Sequence, residues 1–283
     1  MGQAPDLHSN SMTRLRRFAL AGTMALTLTD CGNTGSNGKN APPGSANISS
    51  ATAPIDPTIA GSVTGTVRLV GTPPLLRAID MSAAPACVKA NASPVIPPQV
   101  VTGDDGALAD VVIHIKSGLG NRHFDTPQNP VILEQKACMY EPHVIALMVN
   151  QKLEVRNDDS TTHNVHLLAK TNQPWNKSQP LGGPAIEESF PQPELAIPVA
   201  CNVHPWMWAF AFVFDNPYYA ITSSTGTFEL KNLPPGAYTI EAWQERYGTR
   251  EQTVTIGPKE SKAISFTFNA ASPGGADSAI VRQ

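Results

Sequence analysis

Hydrophobic and polar residues alternate in short runs along the chain from Gly61 onward. In G-S-V-T-G-T-V-R-L-V, for example, the alternation centres on Val63, Val67 and Leu69, and the run stops at G-T-P-P. Similar runs recur into the C-terminal third, each bounded by Gly, Pro, Asn or Asp, which is typical of β-strands separated by turns. No window keeps the helical spacing of apolar residues for more than about three turns. The pattern therefore predicts an all-β fold, a sandwich or a pair of small sandwiches.

Composition agrees with many short strands and excludes one class of partner. The 283 residues include 26 Pro and 21 Gly, which favours turns over long helices. Charged residues make up 15% of the chain and its net charge is −3, so no electrostatic feature supports binding to nucleic acid. No apolar run is long enough for an ordinary membrane span.

Residues 1–31 are typical of an export signal. A basic segment, M-T-R-L-R-R, begins at Met12 and precedes the short apolar segment F-A-L-A-G-T-M-A-L-T-L-T. We expect Met12 to be the true start. The following L-T-D-C, which ends at Cys31, resembles a bacterial lipoprotein signal and implies that Cys31 is lipidated. A plain secretory signal is the alternative, because Asp30 stands where that family has a small residue.

Residues 32–60 are rich in Gly, Ser, Asn, Ala and Pro, and they predict a disordered linker. A flexible tether of this length spans about 30 Å and would hold a folded body away from a membrane surface. Residues 270–283 are predicted to be a flexible tail. The signal and the tether together predict a protein of the periplasm or cell envelope, with a possible membrane tether through the lipid on Cys31.

Residues 216–269 contain the motif T-G-T-F-E-L-K-N-L-P-P-G-A-Y. The P-P-G at residues 234–236 predicts a tight turn, which would place Phe228 and Tyr238 on adjacent antiparallel strands. The motif resembles the carboxypeptidase regulatory-like domain, a small transthyretin-like sandwich. Because the segment is short, the first strand, Gly65 to Val70, is expected to complete it. No His-x-x-Glu pair accompanies the motif, so the resemblance implies a fold and not a peptidase.

The sequence C-N-V-H-P-W-M, from Cys201 to Met207, places a thiol, an imidazole and a thioether close together. Haem attachment is excluded because it needs C-x-x-C-H, and structural zinc sites do not use Met. One thiolate, two imidazoles and a weak axial thioether are the ligands of a mononuclear blue-copper site. The second imidazole should come from another strand, where His163 in H-N-V-H is the candidate. His143 is an alternative ligand.

The pairing of H-N-V-H with C-x-x-H-P-x-M resembles the cupredoxins, most closely the amicyanins, over roughly residues 144–215. The whole chain looks like periplasmic proteins described as methylamine-utilisation-like or plastocyanin-like, with a regulatory-like domain. The implied fold is a cupredoxin-like Greek-key β-sandwich packed with the smaller regulatory-like sandwich, and residues 61–143 supply N-terminal strands and an insertion. The resemblance implies one mononuclear type 1 copper held by His163, Cys201, His204 and Met207.

The same resemblance assigns roles to residues around the ligands. Asn164 is expected to tie the two ligand segments together, and Pro205 stiffens the loop by fixing its φ. Pro205 and Trp206 are expected to form an apolar patch where a redox protein, a cytochrome c or a periplasmic dehydrogenase, docks near His204. Apolar side chains that exclude water from the site are expected from Trp206, Trp208, Phe210 and Phe212.

Once Cys31 is assigned to the lipid or the signal and Cys201 to copper, Cys87 and Cys138 remain. An even pair in an oxidising compartment predicts a Cys87–Cys138 disulfide. Closing that loop would contribute about 3–4 kcal/mol in the chain-entropy model. A Cys138–Cys201 disulfide is the alternative, and it would abolish the copper site.

The expected function is therefore transfer of single electrons in the periplasm, without an enzyme activity because no substrate is turned over. A copper-binding or copper-delivery protein without redox traffic is one alternative. Such proteins favour Met-rich or His-rich tracts, whereas this chain has seven of each, mostly scattered. A cell-surface binding module with a vestigial copper site is the other alternative.

Overall fold

The computed structural model describes residues 55–272, and within them the chain is almost entirely β-structure, as predicted. The predicted signal peptide with Cys31, the linker up to residue 54 and the tail from residue 273 lie outside the described residues. The strands are β1 (Gly61–Val70), β2 (Val112–Ser117), β3 (Val131–Lys136), β4 (Met139–Glu141), β5 (Val144–Met148), β6 (Leu153–Asn157), β7 (His163–Leu167), β8 (Trp175–Gln179), β9 (Ile186–Glu188), β10 (Glu194–Ala200), β11 (Trp208–Phe214), β12 (Tyr219–Ile221), β13 (Thr227–Leu233), β14 (Gly236–Gln244), β15 (Gly248–Ile256) and β16 (Ser261–Asn269), with a helix α1 (Pro85–Ala90) and a 3-10 turn (Asp104–Gly106).

The consecutive strands β3 to β11 form a two-sheet sandwich, which we term the inserted sandwich. One sheet has the order β5-β11-β10-β7-β8 and the other β4-β3-β6-β9. Two neighbouring pairs are parallel, β5 with β11 and β3 with β6. Apolar side chains that alternate along these strands point inward and form a common core, which includes Leu133, Ile145, Val155, Val165 and Val199.

The remaining strands form the enclosing sandwich, whose sheets have the orders β13-β1-β16 and β12-β2-β14-β15. Strand β1 pairs antiparallel with β13 and parallel with β16, so the first strand does lie in the C-terminal module. Residues 61–143, predicted as one N-terminal segment, are divided between the sandwiches. Strands β1 and β2 belong to the enclosing sandwich, whereas β3 and β4 belong to the inserted one.

The turn at residues 234–236 does not join neighbouring strands, so the predicted strand adjacency of Phe228 and Tyr238 is wrong. Strand β13 lies beside β1, whereas β14 lies in the opposite sheet between β2 and β15. Two prolines cannot donate the hydrogen bonds that would continue a ladder, and the chain crosses between sheets instead. The Tyr238 hydroxyl donates to the Pro234 carbonyl at 2.6 Å and fastens this crossing, and both aromatic rings lie in the core between the sheets.

Strand β11 joins the two sandwiches because both of its faces are buried. Its small residues, Ala209, Ala211 and Val213, face the core of the inserted sandwich. Its large residues face the enclosing sandwich and pack against Val112 of β2 and Trp243 of β14. These large residues are Trp208, Phe210, Phe212 and Phe214.

A disulfide fastens the long segment after β1 to the inserted sandwich. Cys87 in α1 is bonded to Cys138 in the β3–β4 turn, with their Cα atoms 5.5 Å apart, which confirms the predicted pair. Cys201 is a free, buried cysteine, so the alternative Cys138–Cys201 pairing does not occur. No helix between residues 55 and 272 has the length and apolar character needed to cross a membrane.

Candidate metal centre

Two segments of the inserted sandwich meet at one end of its five-stranded sheet. His163 is the first residue of β7, and the loop from Cys201 to Met207 connects β10 to β11. Strands β7 and β10 are paired, which brings the start of one close to the end of the other. The loop is folded back on itself by two backbone hydrogen bonds, from the Cys201 amide to the Met207 carbonyl at 3.1 Å and from the Met207 amide to the His204 carbonyl at 2.9 Å.

The structure brings together three of the four predicted ligand atoms in a buried cluster. The Nδ1 atoms of His163 and His204 are 2.9 Å apart, and the Cys201 sulfur is 4.0 Å from the His204 Nδ1. All three donor atoms lie within 4.8 Å of one another. Ligand atoms that share one metal at about 2.0–2.3 Å lie at most about 4.6 Å apart, so the cluster fits one ion after a small adjustment. Met207 is fully buried in the same core as Cys201.

Asn164 ties the two ligand segments together. Its Oδ1 accepts the backbone amides of Asn202 at 2.6 Å and Val203 at 3.2 Å, and it lies 3.5 Å from the Cys201 sulfur. Its Nδ2 in turn donates to Asn176 on β8 at 2.6 Å. The side chain therefore links the start of β7 to the ligand loop and to β8.

Asp159 orients the first imidazole, and the sequence analysis missed this role. Its Oδ2 lies 2.9 Å from the His163 Nε2 and also accepts the Cys138 backbone amide at 2.8 Å. A hydrogen bond at Nε2 directs the His163 Nδ1 toward Cys201 and His204. The sequence feature that could have indicated this role is the position of Asp159 in N-D-D-S-T-T-H, four residues before the histidine.

The electrostatics of the cluster favour a thiolate. Burial raises the pKa of Cys201, but hydrogen bonds from His163 and from neighbouring backbone amides outweigh it and leave the pKa below the usual value. Burial lowers the pKa of His163, but its bonds to Asp159 and to the Cys201 sulfur raise it to about 9. Burial and the neighbouring His163 lower the pKa of His204. A thiolate and a neutral imidazole are the forms that bind a metal, so Cys201 and His204 are shifted toward those forms, whereas His163 would have to release a proton on binding.

Two aromatic side chains brace the centre. The Trp206 ring lies with its centroid 5.1 Å from that of His204, and its Nε1 donates to the Cys138 carbonyl at 3.0 Å. Tyr140, which the sequence analysis did not single out, donates its hydroxyl to the Asn164 carbonyl at 2.7 Å. Pro205 is exposed beside them. The β3–β4 hairpin therefore supports both ligand segments.

Several residues expected near the site lie elsewhere. Trp208, Phe210 and Phe212 do not surround the cluster, because they occupy the β11 face that packs against the enclosing sandwich. His143, the alternative ligand, is held by Glu245 and by the Trp208 carbonyl, so both of its ring nitrogens have partners there.

Comparisons with known proteins give one family-model match and several similar solved structures. The family model of the carboxypeptidase regulatory-like domain matches residues 214–269, which confirms the resemblance predicted for 216–269. No curated protein matches the chain. Among solved structures, the chain is similar to a Cu-containing nitrite reductase from Thermus scotoductus SA-01, at 20% identity and a TM-score of 0.29, over 35% of this chain and 25% of that one.

Two small copper proteins are also similar. A purple cupredoxin from Nitrosopumilus maritimus has 20% identity and a TM-score of 0.25, over 29% of this chain and 97% of that one. An oxidised amicyanin mutant has 17% identity and a TM-score of 0.27, over 36% of this chain and 97% of that one. The chain thus spans nearly the whole of these two proteins but a quarter of the nitrite reductase.

Proposed function

We propose that this protein carries single electrons through one mononuclear type 1 copper ion. The observation that carries the proposal is the meeting of a thiolate and two imidazoles within 4.8 Å in a buried cluster. When bound, copper would supply a centre that changes between Cu(I) and Cu(II). The residues that would hold it are His163, Cys201 and His204, with the thioether of Met207 as a weaker fourth ligand.

The surrounding residues suit electron transfer because they keep the ligands in place. Asn164 and the backbone hydrogen bonds of the 201–207 loop set the loop shape before any metal binds. Asp159 fixes the ring of His163, and Trp206 lies against that of His204. Ligands that move little between two oxidation states keep the reorganisation energy low, and their burial excludes water.

A redox protein, a cytochrome c or a periplasmic dehydrogenase, would dock over His204. The imidazole itself is buried, and the residues beside it in the loop reach the surface. Val203 is 52% exposed and Pro205 is also exposed, so the two neighbours of His204 in the chain present uncharged, apolar side chains to solvent. A short path from this surface to the imidazole favours electron transfer at this point.

We further propose that the protein works in the periplasm or cell envelope, exported by residues 1–31 and tethered through lipid on Cys31. A carrier of this kind turns over no substrate and is not an enzyme. The oxidising compartment suits the Cys87–Cys138 disulfide, which would not persist among cytosolic reductants.

The test is the visible spectrum of the purified chain after addition of Cu(II). A thiolate-to-copper band at roughly 600 nm is expected for a type 1 centre. Cys201→Ser should abolish the band, because a serine hydroxyl is a hard, protonated replacement for a soft thiolate. His166→Ala is the matched control, since His166 lies three residues from His163 but bonds Asn202, and it should retain the band.

The two alternatives give other outcomes. Colourless, tight binding of Cu(I) without a Cu(II) band would favour copper delivery. Absence of copper binding in either oxidation state would favour a binding module with a vestigial site. Retention of the band in Cys201→Ser would overturn the ligand assignment.

A further inference from the structure

We propose a second metal-binding set beside the first: once their disulfide is reduced, Cys87 and Cys138 bind Cu(I) together with His204. The ligand atoms of these three buried residues lie within 4.8 Å of one another. Cys138 lies within the same limit of Asp159 and His163. The disulfide therefore borders the proposed copper centre. Through the shared His204, this inference rests on the proposed function and concerns its regulation.

Two side chains hold the cysteines in place through hydrogen bonds that do not involve sulfur. The Asn91 side chain donates from Nδ2 to the carbonyls of Cys87 and Ala137, both at 2.9 Å, and so joins the end of α1 to the β3–β4 turn. Trp206 donates to the Cys138 carbonyl at 3.0 Å. Since neither contact depends on the S–S bond, reduction would leave two thiols already placed beside an imidazole.

The redox chemistry needs a dithiol reductant. Two electrons and two protons pass from it to the pair, the S–S bond breaks, and the reductant closes into its own disulfide. Cu(I) then replaces the two thiol protons, which leave to the solvent. Two soft thiolates and an imidazole select Cu(I) over the harder divalent ions. The oxidised pair cannot bind the ion, so the redox state of the pair decides whether this set exists.

Access to the sulfurs requires local opening of α1. Both cysteines are 0% exposed, so a reductant cannot reach them in the closed structure. The helix has six residues and no side-chain hydrogen bond at its N-cap. Short, weakly capped segments open more readily than core strands, so reduction is expected to precede any unfolding of the sandwich.

The experiment uses the full chain with Cys201→Ser, which removes the thiolate of the first centre. A water-soluble phosphine, oxidised to its phosphine oxide with oxygen from water, reduces the disulfide and is then removed without air. Cu(I) binding is measured by competition with bicinchoninate. The reduced chain should bind one Cu(I) more than the oxidised chain. Adding Asn91→Ala should weaken this binding by about 10–100-fold, and adding Cys87→Ser should abolish it.

Equal Cu(I) binding by the oxidised and reduced Cys201→Ser chains would overturn the inference. The Cu(II) band of the oxidised wild-type chain is measured separately, so failure of the proposed function is distinguishable. If the reduced variant loses its sheet signal in circular dichroism, the reduced wild-type chain decides the question. Cu(I) should then protect Cys87 and Cys138 from alkylation by iodoacetamide, and His204→Ala should remove that protection. Equal alkylation with and without Cu(I) would contradict the second set.

Discussion

The His163 Nε2 atom lies 2.9 Å from Asp159 Oδ2, so a ligand of the proposed copper centre is held by a carboxylate in the loop that leads into its own strand, β7. The same oxygen accepts the amide of Cys138, half of the disulfide, at 2.8 Å. Orientation of His163 and placement of the β3–β4 turn therefore depend on one side chain.

Replacing Asp159 by Asn should weaken metal binding. The carboxylate of Asp159 orients the His163 ring, and its negative charge makes the ring a stronger electron donor to a metal. An amide at this position lacks that charge. We expect Cu(II) affinity to fall by about 10–100-fold, measured by competition with a chelator of known affinity. Asp158→Asn is the matched control, because Asp158 is an exposed neighbour that makes no side-chain bond to His163. Equal losses in the two variants would show that charge alone, and not the contact, matters.

Asn164→Ala should destabilise the metal-free protein. Two loop amides, those of Asn202 and Val203, would lose their acceptor. Leaving a buried donor unsatisfied costs about 1–3 kcal/mol, and because these two amides are only partly buried, the free energy of unfolding in urea should fall by about that amount in total. Asn176→Ala removes only the partner of the Asn164 Nδ2 and should cost less. A larger loss for Asn176→Ala would contradict this account of the loop.

Phe212→Ala should lower the stability of the fold without changing the proposed metal centre. The ring is 1% exposed and its centroid lies 4.9 Å from that of Trp243 on the enclosing sandwich. Its removal should cost about 3–5 kcal/mol of unfolding free energy, and Phe212→Leu should cost less because it leaves a smaller cavity. The Cu(II) spectrum should not change, because the ring faces away from Cys201. A shift of the thiolate-to-copper band in Phe212→Ala would indicate that Phe212 lies close to the metal after all.

Glu241→Gln should reduce the acid sensitivity of the protein. Burial raises the pKa of Glu241, but bonds to Lys116 at 2.7 Å and His114 at 3.2 Å outweigh it and lower the pKa below 4.5. A carboxyl group whose pKa is lower in the folded than in the unfolded state stabilises the fold at pH values above its unfolded-state pKa. This contribution is lost as the pH falls through its folded-state pKa.

The wild-type unfolding free energy should therefore fall more steeply than that of Glu241→Gln as the pH drops below about 4.5. Urea unfolding at several pH values measures this. Glu251→Gln is the comparison, since Glu251 shares Lys116 but is more exposed, and it should leave most of the acid dependence intact. Parallel pH profiles for the wild type and Glu241→Gln would rule out this contribution.

The ligand candidates were predictable because their signal is local. Cys201, His204 and Met207 lie within one loop, and the H-N-V-H around His163 marks the start of its strand. The disulfide followed from counting cysteines. Tyr140 was not predictable, because it reaches the Asn164 carbonyl only through the placement of the β3–β4 hairpin, which is a tertiary relationship. Asp159 lies four residues before His163, but no motif marks the contact of its carboxylate with the ring.

The errors concern which way side chains face. In W-A-F-A-F-V-F both sets of alternating positions are apolar, and this pattern indicates burial on both faces without saying which face meets the metal. Small residues alternate with aromatic residues along β11, and this alternation indicates that its two faces pack against two different cores. The P-P-G turn predicts adjacent antiparallel strands, although prolines at a strand end equally permit a crossing between sheets.

The parallel pairing of β1 with β16 also imposes an order on biosynthesis. Ser62 and Ser261, which face each other across this pair, are 199 positions apart. The inserted sandwich uses consecutive strands, all of which have been made once residue 214 is added, whereas β1 must wait for the last strand. A chain truncated before β16 would thus contain every candidate ligand but leave one edge of β1 unpaired, which is a template for aggregation.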